Sequence, residues 1–506
     1  MINIYAGDTL MYSKRSRYSY LVVITFLVFT LSISALTPIY VNAQTPAEGQ
    51  TYVIGKYKTL PVPYNATVIN VFLSDIKNDG NYAVVWISKT GLVRTYSLDG
   101  NTIWVRSLNK TITSSLLEDV DYDNLPELIL GTSDGHIIEL DPASFGRTVF
   151  DTYLKSDLPV LKIVPTNLDA DIQNEFIVVQ KNGPTIYIDN NGVFLKIFRY
   201  YATFADIVAT DIDNDGQSEL MLVTSSGDIT LMYSNETEIF STSIIGENFT
   251  SVLAKDVDDD GTPEFFVAGK QTLYIYAPDG TQLNTRSFDN PISKISLVDL
   301  DGNGIFELIV LSGPDLYSFN SRTMFLNKLT TVPTQYSISD SSFLNLDSDS
   351  ALEILLTTYQ GVILIYNNDL SLFRTYVVES GSPIYSCAVV DLDGDDYDEF
   401  AVAGRFRNIV ILGIDTDGDG LLNIEENVIT KTNPNLIDTD GDQMSDYDEY
   451  LNGRNPLAYD SDYDGIPDSL DMINGINDAF FYAIILLVFI GVPGYKYMQL
   501  RKEEIE

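Results

Sequence analysis

Eight times along this chain a short acidic loop is followed by a strand-like apolar run. One copy reads "DVDDDGTPEF" from Asp256; others read "DVDYDNLPEL" from Asp119, "DIDNDGQSEL" from Asp211, "DLDGNGIFEL" from Asp299 and "DLDGDDYDEF" from Asp391. Weaker copies open at Asp75, Asn167 and Asn345. Successive starts lie 44, 48, 44, 45, 43, 46 and 46 residues apart. A period in this range marks a repeat architecture. Each unit has an apolar lead-in, the acidic loop, a run such as "EFFVAG", a turn, a second run such as "TLYIYAP", and a further turn before a fourth stretch. Four short strands joined by tight turns make one antiparallel sheet. Repeating that sheet describes the blades of a β-propeller. The expected fold class is therefore all-β: a propeller over residues 51–414, with eight blades, or seven and one divergent unit as the alternative. The eighth unit stops at "NIVILG" without a fourth strand, and an orphan segment, Thr51–Leu60, precedes the first lead-in. That segment is expected to supply the missing outer strand, closing the ring and protecting an edge.

The loop composition points to a hard cation. Counting from Asp256, carboxylates stand at positions 1, 3 and 5 (Asp256, Asp258, Asp260), Gly261 permits the sharp turn at 6, and Glu264 stands at 9. Alternating oxygen donors around a tight loop suit calcium. Without a cation, neighbouring carboxylates repel by about 1 kcal/mol in water and ~4 kcal/mol at an effective dielectric of 20. A solvated acidic turn needs neither this spacing nor its repetition. The same positions give Asp119, Asp121, Asp123 and Glu127; Asp211, Asp213, Asp215 and Glu219; Asp299, Asp301, Asn303 and Glu307; Asp391, Asp393, Asp395 and Glu399. The weaker loops give Asp169, Asp171 and Glu175 behind Asn167, and Asn345, Asp347, Asp349 and Glu353. The Asp75 loop has Lys77 at position 3 and Ala83 at position 9, and is expected to hold no ion.

These units resemble the FG-GAP family, the calcium-loop propeller repeats of integrin α-subunits and many secreted prokaryotic proteins. The pattern D-x-D-x-D-G-x-x-[DE]-[LF] fits Asp211–Leu220 and Asp256–Phe265 fully; elsewhere Asn124 and Asp396 replace the glycine. The resemblance implies a calcium-bearing propeller. It leaves the ligand open, because function does not follow from fold.

From Asp415 the rhythm changes to spacings of 23 and 22 residues, with loops opening at Asp415, Asp438 and Asp460. Positions 1, 3, 5 and 12 hold Asp415, Asp417, Asp419 and Glu426; Asp438, Asp440, Asp442 and Glu449; Asp460, Asp462, Asp464 and Asp471. EF-hand loops share the pattern but need a helix on each side, for which this period leaves too little room. The segment resembles thrombospondin type 3 repeats, which implies a calcium-organised irregular stalk over residues 415–472. A disordered acidic linker and a dockerin-like module are the alternatives.

At the ends, Lys14, Arg15 and Arg17 precede an apolar run from Tyr20 to Leu36, with Val41 and Ala43 placed before a cleavage site. Residues 1–43 read as a signal peptide, or as an N-terminal anchor. Residues 478–500 are long and apolar enough for one transmembrane helix. Lys496, Arg501 and Lys502 at or after its end place the tail 501–506 in the cytoplasm and the bulk of the chain outside. Sequons at Asn65, Asn109, Asn235 and Asn248 agree with that placement.

The net charge of -41, from 30 basic and 71 acidic residues, argues against nucleic acid as a partner. Cys387 is the sole cysteine, so no intrachain disulfide exists, and bound metal is one substitute staple. The one histidine, His136, reads as a blade-turn residue and Cys387 as core. No phosphate loop or nucleophile motif is present. The expectation is a calcium-binding, non-enzymatic cell-surface recognition or adhesion protein, taking an extracellular protein or glycan ligand. A propeller-based extracellular carbohydrate-active enzyme and a structural cell-envelope component are the alternatives.

Overall fold

The computed structural model describes residues 53–471, apart from 65, 169–172, 199–203 and 348. Its strands form eight four-stranded sheets, each antiparallel throughout. Blades one to seven occupy residues 68–107, 112–153, 160–198, 204–243, 251–287, 292–331 and 338–377. Blade eight combines 384–415 with the strand Val53–Pro61. That strand takes the outer place, antiparallel to Asn408–Asp415, with Val53 opposite Asp415 and Pro61 opposite Asn408. The ring has eight blades, not seven.

The second strand of most blades is a continuous apolar run opened by a glutamate. Glu219–Thr224, Glu307–Ser312, Glu353–Thr358 and Glu399–Gly404 are buried at every residue. Such runs are expected for strands covered on both faces, and here the two covers are the neighbouring blades. Outer strands face solvent instead; Gln282–Ser287 is exposed throughout. Packing then follows the seams. Eight apolar clusters fill eight blade junctions, joining for example Ile87 to Leu128, Ile137 to Phe176, Ile177 to Leu222 and Met221 to Phe265. The circuit continues with Phe266 and Leu308, Ile309 and Ile354, Leu355 and Phe400, and Ile411 and Trp86. The last pair joins blade eight to blade one, so the ring is closed by core as well as by strand pairing.

The segment after Asp415 is less irregular than a coreless stalk. A short helix, Asn423–Glu425, runs into a π-helical turn, Glu426–Thr430, and a second helix spans Asp446–Asn452. Ser445 caps the second helix by accepting from the Asp448 N–H, and Gly453 ends it in the left-handed conformation. The first repeat also has a core. Leu422 and Ile424 are buried in the seam of blades eight and one, beside Leu60 and Ile411. A Cβ placed on Gly55, in the closing strand, would meet Leu422 Cδ2 at 2.6 Å.

Among the described residues no helix is long and apolar enough to cross a membrane. The expected leader (1–43) and span (478–500) lie outside the described residues, as do Asn65, Asp169 and Asp171. Asn109, Asn235 and Asn248 are exposed.

Candidate metal centres

Each acidic loop of the propeller joins the first strand of its blade to the second, so all eight emerge on one face of the ring. Neighbouring loops are bonded to one another there. The Asn174 N–H donates to the Val120 carbonyl at 3.1 Å, Ser218 to Asn167 at 2.9 Å, Leu352 to Leu300 at 2.9 Å and Asp398 to Asn345 at 2.8 Å. Asn345 also donates through Nδ2 to the Asp396 carbonyl at 2.7 Å, so this non-acidic first position serves the next blade.

Inside a loop the backbone folds around its own carboxylates. Asp211 accepts from the Asp215 and Gly216 N–H groups, Asp213 also accepts from Asp215, and Asp215 accepts from Gln217. The Asp299 loop repeats this pattern through Asn303, Gly304 and Ile305. Two residues must then adopt positive φ. At position 6 these are Gly216 at 90°, Gly261 at 90° and Asn124 at 68°; at position 4 they are Asn214 at 60°, Asp259 at 62° and Gly302 at 69°. Glycine, asparagine and aspartate tolerate that region best. The demand at position 4 is a signal the sequence carries and the reading of position 6 alone missed.

Position 9 closes the loop from behind. Oε2 of Glu127, Glu175, Glu219, Glu264, Glu307, Glu353 and Glu399 accepts the N–H of position 2 in the same loop, at 2.8–3.1 Å. The glutamate opens the buried second strand, which carries its carboxylate inward. Ligand oxygens lie within 4.8 Å of one another in the sets Asp119, Asp121, Glu127; Asp211, Asp213, Glu219; Asp256, Asp258, Asp260; Asp299, Asp301, Glu307; and Asp391, Asp393, Glu399. Blade one cannot build this arrangement. Ala83 replaces the glutamate, and the Lys77 ammonium stands 5.9 Å from the Phe145 ring of blade two. Lys77 thus weakens the site by withholding a carboxylate and reaches out to a neighbour.

The tail loops share the turn. Gly418, Gly441 and Tyr463 have φ of 79°, 81° and 60° at position 4, and Gly420, Gln443 and Gly465 have 113°, 83° and 93° at position 6. They also share the closing bond, which the sequence reading missed. The N–H of position 2 donates to Asn423, Asp446 and Asp468 at position 9, at 3.0, 2.9 and 3.1 Å. The twelfth-position acids Glu426 and Glu449 are fully buried, and Asp471 nearly so. Arg454 donates to the Asp471 carbonyl at 2.6 Å and lies 3.5 Å from its carboxylate, so the third loop has a cation of its own.

Arg322 pairs with Asp259 of the blade-five loop, whereas the centres at Glu399, Glu426 and Glu449 have carboxylates and little to balance them. Glu399 Oε1, Glu426 Oε2 and both Glu449 oxygens are buried and receive no N–H or hydroxyl donor. Burial, then Asp393, pushes Glu399 up to about 9. Burial, then Asp417 and Asp419, does the same to Glu426, and burial with Asp440, Asp442 and Asp468 to Glu449, each to about 9. Asp415 is raised to about 7 by burial, with Asp417 and Asp419 adding to it. Buried charge is costly unless paired or bound to a metal. An all-oxygen, acid-rich set with orphaned buried oxygens fits a hard divalent cation. Glu139 is an acid no motif announced. It sits in the third strand of blade two with Oε2 unpartnered, raised to about 8 by burial and then by Glu127 and Asp121.

His136 opens the third strand of blade two, with Nδ1 2.6 Å from Asp151 Oδ1. Cys387 lies in the first strand of blade eight, where burial pushes its thiol up to about 12.

No family model and no curated protein sequence matches the chain. Solved structures do match its fold. BamB from Moraxella catarrhalis is 13% identical, with a TM-score of 0.52 over 71% of this chain and 99% of that one. The C-terminal WD40 domain of Sif2 is 12% identical, with a TM-score of 0.55 over 72% and 99%. Sqt1 of Saccharomyces cerevisiae is 9% identical, with a TM-score of 0.55 over 72% and 98%. At these identities the likeness is one of propeller architecture.

Proposed function

We propose that the chain is a calcium-binding recognition or adhesion protein. An FG-GAP-type propeller presents the binding surface, and thrombospondin type 3-like repeats join it to a membrane-anchored C-terminus at the cell surface. The observation that carries the calcium reading is the set of buried carboxylate oxygens without donors at Glu399, Glu426 and Glu449. Calcium would be held by positions 1, 3, 5 and 9 of the propeller loops and by positions 1, 3, 5 and 12 of the tail loops. It would supply the positive charge those groups lack and fix loop shape; no chemistry on a substrate is required of it. Recognition then falls to loops presented together by rigid sheets. A closed propeller, the fold shared with BamB and the WD40 domain of Sif2, suits that task.

The test has two arms. The ectodomain should melt higher in calcium than in chelator, since one site at ten times its dissociation constant adds about 1.4 kcal/mol. An unchanged melting temperature would sink the calcium reading. Arrays of polysaccharides and extracellular proteins should show retention without turnover, weakened by chelator and restored by calcium. Product release that depends on an acid outside the loops would assign an enzyme instead.

A further inference from the structure

The acidic loop of blade eight differs from those of blades four, five and six in being covered. Asp213, Asp215, Asp258, Asp260, Asp301 and Asn303 are exposed, whereas Asp393 and Asp395 are half-buried. The cover is the first tail repeat. Asn427 Nδ2 lies 3.1 Å from Asp393 Oδ2 and 3.0 Å from Asp395 Oδ2. Asn423 Nδ2 lies 3.4 Å from the same Asp395 oxygen. Two neutral amides from the tail therefore stand over carboxylates of the ring.

Behind them, Glu399 is fully buried with Oε1 unpartnered, and its ligand oxygen lies within 4.8 Å of those of Asp391 and Asp393. Asp393 Oδ1 is also buried without a donor. An amide neutralises none of this charge. It does carry an acceptor beside its donor, and a half-turn about the terminal bond exchanges the two. In the presence of a cation, the atom of Asn427 suited to this place is its carbonyl oxygen.

We propose that Asn427 is a ligand to the cation of blade eight, so that one ion is shared by ring and tail and the docking of the tail depends on calcium. This rests on the calcium reading of the loops. Leu422 and Ile424, buried in the adjoining seam, supply the apolar half of the same contact. The polar half is then a switch. Charged and unfilled, the loop repels itself beneath the tail; filled, it draws the tail's oxygen down.

The test uses the full-length chain, with calcium titrated by calorimetry and hydrogen exchange followed over residues 421–432 in calcium and in EDTA. Wild type should exchange slowly in calcium and at least tenfold faster in EDTA. Asn427→Ala should lower the affinity of one site by about tenfold, the size of effect typical of groups around a metal, and reduce protection while the other sites titrate unchanged. Asn427→Asp keeps an oxygen but loses the donor. It should retain protection in calcium and lose it in EDTA. If Asn427 were only a donor to the aspartates, Asn427→Asp would exchange fast in both conditions and Asn427→Ala would leave every calcium affinity as in wild type; either result overturns the proposal. Calcium uptake by no loop would overturn both this proposal and the calcium reading. Normal uptake, with Asn427→Ala indistinguishable from wild type, would overturn this one alone.

Discussion

Glu426 and Glu449 stand where a carboxylate is least welcome unless something positive joins it. Both are fully buried, and both are held near 9 by burial and by the aspartates beside them. Their ordinary value is 4.5, so the cation-free folded chain binds protons there that the unfolded chain has released. Their effect on stability is least unfavourable below pH 4.5 and fully unfavourable above about 9. In EDTA the melting temperature should fall as pH rises from 5.5 to 8.5. In millimolar calcium the dependence should flatten or reverse, because the ion takes the ionised form; thermal scans at both pH values decide it. Glu449→Gln should be near-neutral in EDTA at pH 7, where the acid is already mostly protonated. In calcium it should cost about tenfold in affinity at its site, near 1.4 kcal/mol. A glutamine variant that melts like wild type in calcium would remove Glu449 from the ligand set. Blade one offers the converse change. Lys77→Asp with Ala83→Glu restores positions 3 and 9, and should add one calcium to the stoichiometry measured by equilibrium dialysis.

Strands and loops were legible to different depths. The first-to-second-strand loop could be read because the backbone favours the same residue types in most copies: acids at positions 1, 3, 5 and 9, and chiefly glycine, asparagine or aspartate where φ turns positive, with Tyr122 the exception. The blade count followed from that period, and the closing strand from the missing fourth strand at the far end. The tail was harder. Its ninth-position residues are Asn423, Asp446 and Asp468, and the first is not acidic, so the closing bond was hidden. Its helices are only three and seven residues long, too short to leave a helical period. Docking of the first repeat depends on Leu422 meeting Gly55, a contact no local pattern encodes. The one available hint was "GLLNI", more apolar than the matching "QMSDY" and "GIPDS". Gly55→Val should therefore push Leu422 away while sparing the ladder. The expected result is rapid exchange over residues 421–432 with slow exchange over the ring; protection of both would show that Leu422 yields without cost.

At the scale of the whole molecule, the acidic face and the tail belong together. The third strand of blade eight runs parallel to the first, so it ends on the face that bears the loops, and Asp415 is both its last residue and the opening of the tail array. The opposite face, built from second-to-third-strand turns and the connections between blades, is free of these loops. A ligand that binds there should tolerate charge reversal at Asp258 or Asp301, whereas one that bridges through calcium should not; a pull-down with the two variants distinguishes them. The closing strand carries a further consequence, for the order in which this protein comes into being. Val53 must wait for Asp415, its partner in the ladder. At synthesis rates of 5–20 residues per second, that wait is about 20–70 s. Throughout it, the nascent chain holds an unmatched strand at its front while seven blades assemble behind it. Anything that guards Val53–Pro61 during that interval governs the yield of closed rings, whatever the stability of the finished one.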